Sequence, residues 1–235
     1  MSTFLVAWNK RFNVTYDINP WMTNNENLVD TQNAYEQWKM LVSILKQIGA
    51  EVSQMSVDNA NIPDIVFTAN AGFIYNNVLT LSNFKHRERQ LEIPYYRNWF
   101  LTNLASAVNV LFEPFEGAGD ALVDSYDNLW IGYGFRSGIE SHSRLQQLYP
   151  SLTVKSLQLI NPNFYHLDTC FCPLNSGHLM YYPGAFNDED KQKIKDVFGD
   201  KIIEVSLDDA SDFACNVVEH NNNLVLNKCS PKLNY

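Results

Sequence analysis

Three polar clusters recur along this 235-residue chain at a nearly fixed interval: Asn70, then Glu116 with Asp120, then His166 with Asp168. A histidine gives and takes a proton near neutral pH, and a carboxylate beside it fixes its ring and tautomer. A buried polar set of this kind is costly unless its members pair with one another or with a ligand, so the set suits a site rather than a core. Taken singly, Glu116 in Phe115-Glu116-Gly117-Ala118-Gly119-Asp120 also suits a solvated glycine-rich turn, and His166 a hydrogen-bonded core position. Their shared place in a repeat is what makes them a candidate site.

The repeat consists of a small-residue turn, a strand, a polar hairpin turn and a second strand. It begins at Phe67, Gly117, Leu167 and Phe213, with hairpin signals at Asn76-Asn77, Asp127-Asn128, Asn175-Ser176-Gly177 and Asn221-Asn222-Asn223, residues that tolerate positive φ. Helical patterns over Arg87 to Leu104, Ser141 to Leu148 and Asp188 to Val197 follow the first three hairpins. Short apolar strands then come at Asn109 to Phe112, Leu152 to Val154 and Lys201 to Val205. An opening strand, Phe4 to Trp8, leads to a helix around Asp30 to Ile48 with Ala34, Trp38, Leu41, Ile44 and Leu45 as its apolar stripe, and to a strand at Glu51 to Ser53. The unit is ββαβ, about 50 residues long. Equivalent ends of such units face one another in a closed ring, which brings residues 50 apart in sequence to one cavity.

The formal charge of −9 and the absence of long Lys/Arg runs argue against nucleic acid as a partner and favour a cationic ligand. Hydrophobic residues make up 46% of the chain, which suits a globular fold rather than disorder. No apolar run approaches the ~18 residues of a membrane span, and Met1-Ser2-Thr3-Phe4 opens into fold-like sequence, so the expected location is the cytoplasm. Cys170, Cys172, Cys215 and Cys229 are too few and too unevenly placed for a disulfide scaffold. Cys170 and Cys172 should point to opposite faces of a strand, which disfavours a shared metal; no metal and no cofactor are expected.

Phe67-Thr68-Ala69-Asn70-Ala71-Gly72, Phe115 to Asp120, and Phe164-Tyr165-His166-Leu167-Asp168-Thr169-Cys170-Phe171-Cys172-Pro173 together resemble the guanidino-group-modifying enzymes, the pentein superfamily. Asp17 to Met22, His86 to Gln90, Gly132 to Ser137 and Tyr181 to Phe186 extend the resemblance over nearly the whole chain and bring it nearest to the arginine dihydrolases. It implies an α/β fold, a five-bladed propeller of ββαβ modules with pseudo-fivefold symmetry, formed as a single domain over residues 1–235. It implies hydrolysis at the guanidino carbon of L-arginine to ornithine, ammonia and carbon dioxide through a cysteine-bound intermediate, without a cofactor. Arginine deiminase, dimethylarginine dimethylaminohydrolase or amidinotransferase activity is the alternative, as is a homologue that binds a guanidino compound without turnover.

By the same resemblance His166 is the general acid/base, Glu116 its orienting carboxylate and Asp168 the guanidinium clamp. Arg89 and Arg136 meet the substrate carboxylate, and Asn19, Asp64, Asn70 and Asp120 are further substrate contacts. Asn70 stands where arginine deiminases carry aspartate, as in the dihydrolase branch. The family nucleophile is a cysteine in the last part of the fifth module. Here that module is expected to be incomplete by roughly 30–40 residues on the module arithmetic, a truncation that leaves Cys229 only as a substitute nucleophile and whether the chain is an enzyme open. Homo-oligomers remain compatible with the sequence.

Overall fold

The structure, a computed structural model, describes residues 3–103, 107–231 and 233. β1 (Thr3–Asn9) pairs in parallel with β2 (Glu51–Val57), and the crossover between them is α1 (Thr31–Gln47). Asp30 starts that helix by accepting the Asn33 N–H at 3.0 Å. The buried face of α1 differs from the predicted stripe: Val42 and Leu45 are buried, Trp38 lies partly buried beside them, and Leu41 is exposed. Residues 38, 42 and 45 lie one helical turn apart and line up over Val6, whereas position 41 is rotated about 100° from 42, toward solvent.

Three sheets then repeat one pattern, an antiparallel hairpin whose second strand pairs in parallel with a strand reached through a helix. In the first, β3 (Gly72–Tyr75) and β4 (Val78–Leu81) are followed by α2 (Arg87–Gln90), α3 (Ile93–Asn103) and β5 (Ala107–Val110). In the second, β6 (Ala121–Val123) and β7 (Asn128–Tyr133) precede α4 (Glu140–Leu148) and β8 (Thr153–Gln158). The third has β9 (Phe171–Pro173), β10 (Leu179–Tyr181), α5 (Asp188–Phe198) and β11 (Ile202–Glu204). After α6 (Leu207–Ser211), β12 (Val218–His220) and β13 (Asn223–Val225) form an antiparallel pair. The predicted turn residues adopt left-handed backbone at Asn76, Asn77, Asp127, Gly177, Asn221 and Asn222.

The predicted helix from Arg87 is interrupted, because Pro94 lacks the N–H that would continue the ladder and its ring would meet the carbonyl of Gln90. Its expected end, Leu104, lies outside the described residues.

The apolar core is divided among the seams between sheets. Leu5 and Met55 pack with Leu79, Leu81 and Phe100 between the β1–β2 and β3–β5 sheets. Phe73 packs with Leu129, Ile131 and Tyr149 in the next seam. Trp130, Phe171 and Phe198 centre the largest cluster, which Val217 and Leu226 also join. Val218 packs onto the cluster of Val6, Val42 and Leu45, and Asn221 Nδ2 donates to the Ile48 carbonyl at 3.0 Å. The last hairpin therefore touches the first sheet. Among the described residues no helix is long and apolar enough to cross a membrane.

Candidate active site

A short 3₁₀ turn leads directly into each of the first three hairpins: Thr68–Ala71, Gly117–Gly119 and Leu167–Thr169. These turns carry the polar residues, and glycine lets them meet. Gly117 has φ +60°, and a Cβ there would lie 2.7–2.9 Å from the backbone of Gly72, so the first two turns abut only without side chains. A Cβ on Gly119 would strike the Asn70 amide nitrogen and come 3.5 Å from the His166 ring. Asn70, Glu116, Asp120 and His166 are thereby assembled from three modules, as the 50-residue spacing predicts.

His166 Nε2 lies 2.8 Å from Glu116 Oε2. Burial alone would push the Glu116 carboxyl up, but the His166 hydrogen bond and the charges of His166, Arg136 and Arg89 outweigh it and hold it at about 2. An ionised carboxylate only accepts, so Nε2 carries the proton and Nδ1 is the nitrogen free to gain and lose one. Arg136 Nη1 donates to the same Oε2 at 3.2 Å and Nη2 to the Ile18 carbonyl at 3.1 Å, with the guanidinium over the Tyr165 ring. The Lys85 backbone N–H holds the other oxygen, Oε1, at 3.2 Å. Glu116 is thus fixed on both oxygens.

Asp168 stands in contrast. Its carboxyl is pushed up to about 7 by burial, with His166 opposing, Asp120 adding to the rise and a hydrogen bond from Asn216 opposing. Among the described residues no Lys or Arg forms an ion pair with it. Asp64, which is 4% exposed, is raised by burial and drawn back by Arg89 and by Tyr16. Asp64 thus has a cation beside it, Arg89 Nε at 4.0 Å, whereas Asp168 has no Lys or Arg partner among the described residues.

Other expected contacts are placed differently from one another. Arg89 is 2% exposed and forks onto Glu92, Nε to Oε1 and Nη2 to Oε2, both at 2.9 Å. Its Nη1 donates to Asn70 Oδ1 at 2.9 Å, and Nη2 also reaches the Asp64 carbonyl at 3.3 Å. Burial works against the guanidinium, yet Glu92 holds it firmly charged. Glu92, three residues along and unnoticed in the sequence, is what occupies the expected carboxylate contact. Asp120 is likewise occupied, by Ser137 and by the Leu167 N–H. Asn19 and Arg136 line a cavity of about 260 Å³ with Lys85, His86 and Tyr165, none of which the spacing singled out. His86 and Tyr165 lie within the motifs that carry the resemblance, and only the fold shows that they share a wall.

Cys170, Cys172 and Cys215 are buried, which pushes all three thiols up, Cys172 to about 12. Cys229 is partly buried against the rim of the largest core cluster. Among the described residues no group of three or more His, Cys, Asp or Glu is arranged to hold a metal ion.

The comparisons with known proteins point to one family. Residues 11–229 match the family model described as N,N dimethylarginine dimethylhydrolase, eukaryotic. The bifunctional arginine dihydrolase/ornithine cyclodeaminase AgrE of Nostoc sp. is 43% identical over 98% of this chain, which spans 33% of AgrE's length. The N(G),N(G)-dimethylarginine dimethylaminohydrolase of Mycobacterium tuberculosis is 34% identical, covering 92% of this chain and 69% of the enzyme. Among solved structures, the N-terminal domain of ArgZ, a cyanobacterial arginine dihydrolase, superposes with a TM-score of 0.94 at 42% identity. That match covers 98% of this chain and 85% of the other, in a cysteine-to-serine variant bound to substrate. The α/β fold is the one these enzymes share. With a family model over most of its length and relatives well above 30% identity, the chain belongs to the N,N-dimethylarginine dimethylhydrolase family, within the guanidino-group-modifying pentein superfamily.

Proposed function

We propose that the chain binds L-arginine and carries the acid–base half of an arginine dihydrolase, the reaction that takes arginine and two waters to ornithine, two ammonia and carbon dioxide. The observation that carries this reading is the pairing of a fixed His166–Glu116 couple with Asp168, a carboxylate with no Lys or Arg ion pair among the described residues. The likeness to AgrE and ArgZ over nearly the whole chain supports arginine over a methylated analogue.

In this reading Asp168 receives the guanidinium through charge-assisted hydrogen bonds, which hold the planar carbon for attack. A thiolate adds to that carbon, His166 gives its Nδ1 proton to the departing ammonia, and the neutral imidazole then takes a proton from the water that hydrolyses the amidino-thioether. A second round acts on the ureido product. Cys170, Cys172 and Cys215 are assigned no part in the attack, since burial disfavours their thiolates. Asn70 and Asp64 line the guanidinium side, and Arg136 with Asn19 the amino-acid side.

The architecture we propose is a single-domain five-bladed α/β propeller. It is supported by the complementary two-stranded sheets: β1–β2 is the parallel half of the repeated pattern and β12–β13 the antiparallel half, and the two touch. We place the protein in the cytoplasm, where its four thiols stay reduced.

The test is incubation with L-arginine, with ammonia, ornithine and citrulline assayed alongside calorimetric binding. Ornithine and ammonia, or arginine binding weakened about tenfold or more in Asp168→Asn, supports the proposal. Citrulline as the sole product assigns a deiminase instead, and neither binding nor turnover overturns it.

A further inference from the structure

We infer that Ser137 and Asp120 form a strut that sets the His166–Glu116 couple, which makes both of them positioning residues for the reaction proposed above, on which their catalytic meaning rests. The Ser137 hydroxyl accepts the Glu116 backbone N–H at 3.0 Å and donates to Asp120 Oδ2 at 2.6 Å. The Ser137 N–H reinforces the same oxygen at 3.2 Å. The other oxygen, Oδ1, accepts the backbone N–H of Leu167 at 3.1 Å. A continuous line of hydrogen bonds therefore runs from the peptide of Glu116 to the peptide that follows His166.

The line crosses three separate segments: the Gly117–Gly119 turn, the stretch after β7, and the Leu167–Thr169 turn. Ser137 is 3% exposed and Asp120 1%, so neither presents a surface to a substrate. Asp120 accepts three donors, which accounts for its burial as a carboxylate with no lysine or arginine partner among the described residues. The packing is built around it: a Cβ at Gly132 would come 3.2 Å from Asp120 Oδ1 and 2.9 Å from Leu167 Cβ. The 2.8 Å contact between His166 and Glu116 spans two modules and has no covalent neighbour to keep it. The strut supplies that register, and a misplacement of about 1 Å in such a couple costs on the order of 10²-fold in rate.

The test uses the whole chain and amide hydrogen exchange at Glu116 and Leu167, together with the Nε2 proton resonance of His166, assigned by its loss in His166→Asn. Ser137→Ala removes the acceptor of Glu116 N–H, so faster exchange there is expected of any local role. The strut requires more: Leu167, thirty residues away, also exchanges about tenfold faster, and the His166 proton resonance broadens while the remaining amide spectrum is unchanged. Asp120→Asn, which turns the acceptor facing Ser137 into a donor, has the same effect at Leu167, and Ser137→Thr, which keeps the hydroxyl, stays within about threefold of wild type.

Unchanged Leu167 exchange and an unchanged His166 resonance in Ser137→Ala overturn the inference. Where arginine is turned over, Ser137→Ala lowers kcat at least tenfold with KM within about twofold. A raised KM with kcat intact makes Ser137 or Asp120 a substrate contact and also overturns it. Should the wild type neither bind nor hydrolyse arginine while the exchange coupling holds, the strut stands and the proposed function falls.

Discussion

Arginine binding should weaken steeply as the pH falls below neutral, because the clamp must lose a proton to hold a cation. Asp168 sits at about 7 in the free protein, pushed there chiefly by burial, and a bound guanidinium returns it to the ordinary carboxylate range. The sign follows directly: protons and arginine compete, so affinity is full above neutral pH and lost as pH drops. A single competing proton makes Kd at pH 6 about tenfold weaker than at pH 8, and at pH 5 about 100-fold weaker, since each pH unit is worth about 1.4 kcal/mol. Calorimetry at pH 6, run in two buffers of different ionisation enthalpy, should find close to one proton released per arginine bound. At pH 8 that release should nearly vanish. Asp168→Asn should bind about 10- to 150-fold more weakly at pH 8, the worth of a charge-assisted hydrogen bond of 1.5–3 kcal/mol, and should lose the pH dependence. A Kd that moves less than threefold between pH 8 and pH 6, or an Asp168→Asn variant with wild-type affinity, refutes the assignment.

Glu116 makes a pH prediction of the same sign for stability, in a more acidic window. Its carboxyl falls from the ordinary 4.5 to about 2 on folding, a contribution of about 3 kcal/mol. That contribution is present above pH 4.5 and lost as pH falls through about 2, so urea midpoints of wild type and Glu116→Gln should converge in acid. Gly119→Ala should displace the Asn70 amide and abolish arginine binding with the melting temperature changed by only a few degrees, as calorimetry and thermal unfolding would show. Asp124 accepts from the N–H groups of Tyr126 and Asn128, from Asn128 Nδ2 and from Trp130 Nε1, so Asp124→Ala should cost about 2–4 kcal/mol in urea unfolding. A thiol reagent should modify Cys229 quickly in the native protein and Cys170, Cys172 and Cys215 only after denaturation.

The repeat was legible because its turn chemistry is local. Asn76-Asn77 and Asn221-Asn222 announce left-handed backbone in any context, and each hairpin sits where those residues put it. The short helix α6 was not legible, since five residues carry too little periodicity, and it forms because Ser206 caps it by accepting the Asp209 N–H at 3.2 Å. The helix after β4 was read through its break because amphipathic period alone does not register the clash that Pro94 creates one turn back. The convergence of Asn70, Glu116 and His166 followed from spacing, since equivalent positions of a repeat are equivalent in space.

What the spacing left open was which polar groups are spent on one another. Arg89 and Arg136 look alike in sequence, each a basic residue within a recognisable motif. Their difference lies in a neighbour: Glu92, three residues along, closes both edges of the Arg89 fork, while Arg136 gives one nitrogen to Glu116 and one to the Ile18 carbonyl. The same holds for the carboxylates. Asp120 follows Glu116 by four residues and Asp168 follows His166 by two; burial raises both, yet Asp120 accepts three donors while Asp168 has no Lys or Arg partner among the described residues. In the proposed reading, the site's capacity for a guanidinium resides in Asp168, whose rise burial drives and only His166 and Asn216 oppose. That distinction separates the residues that hold the site together from the residue that a ligand completes.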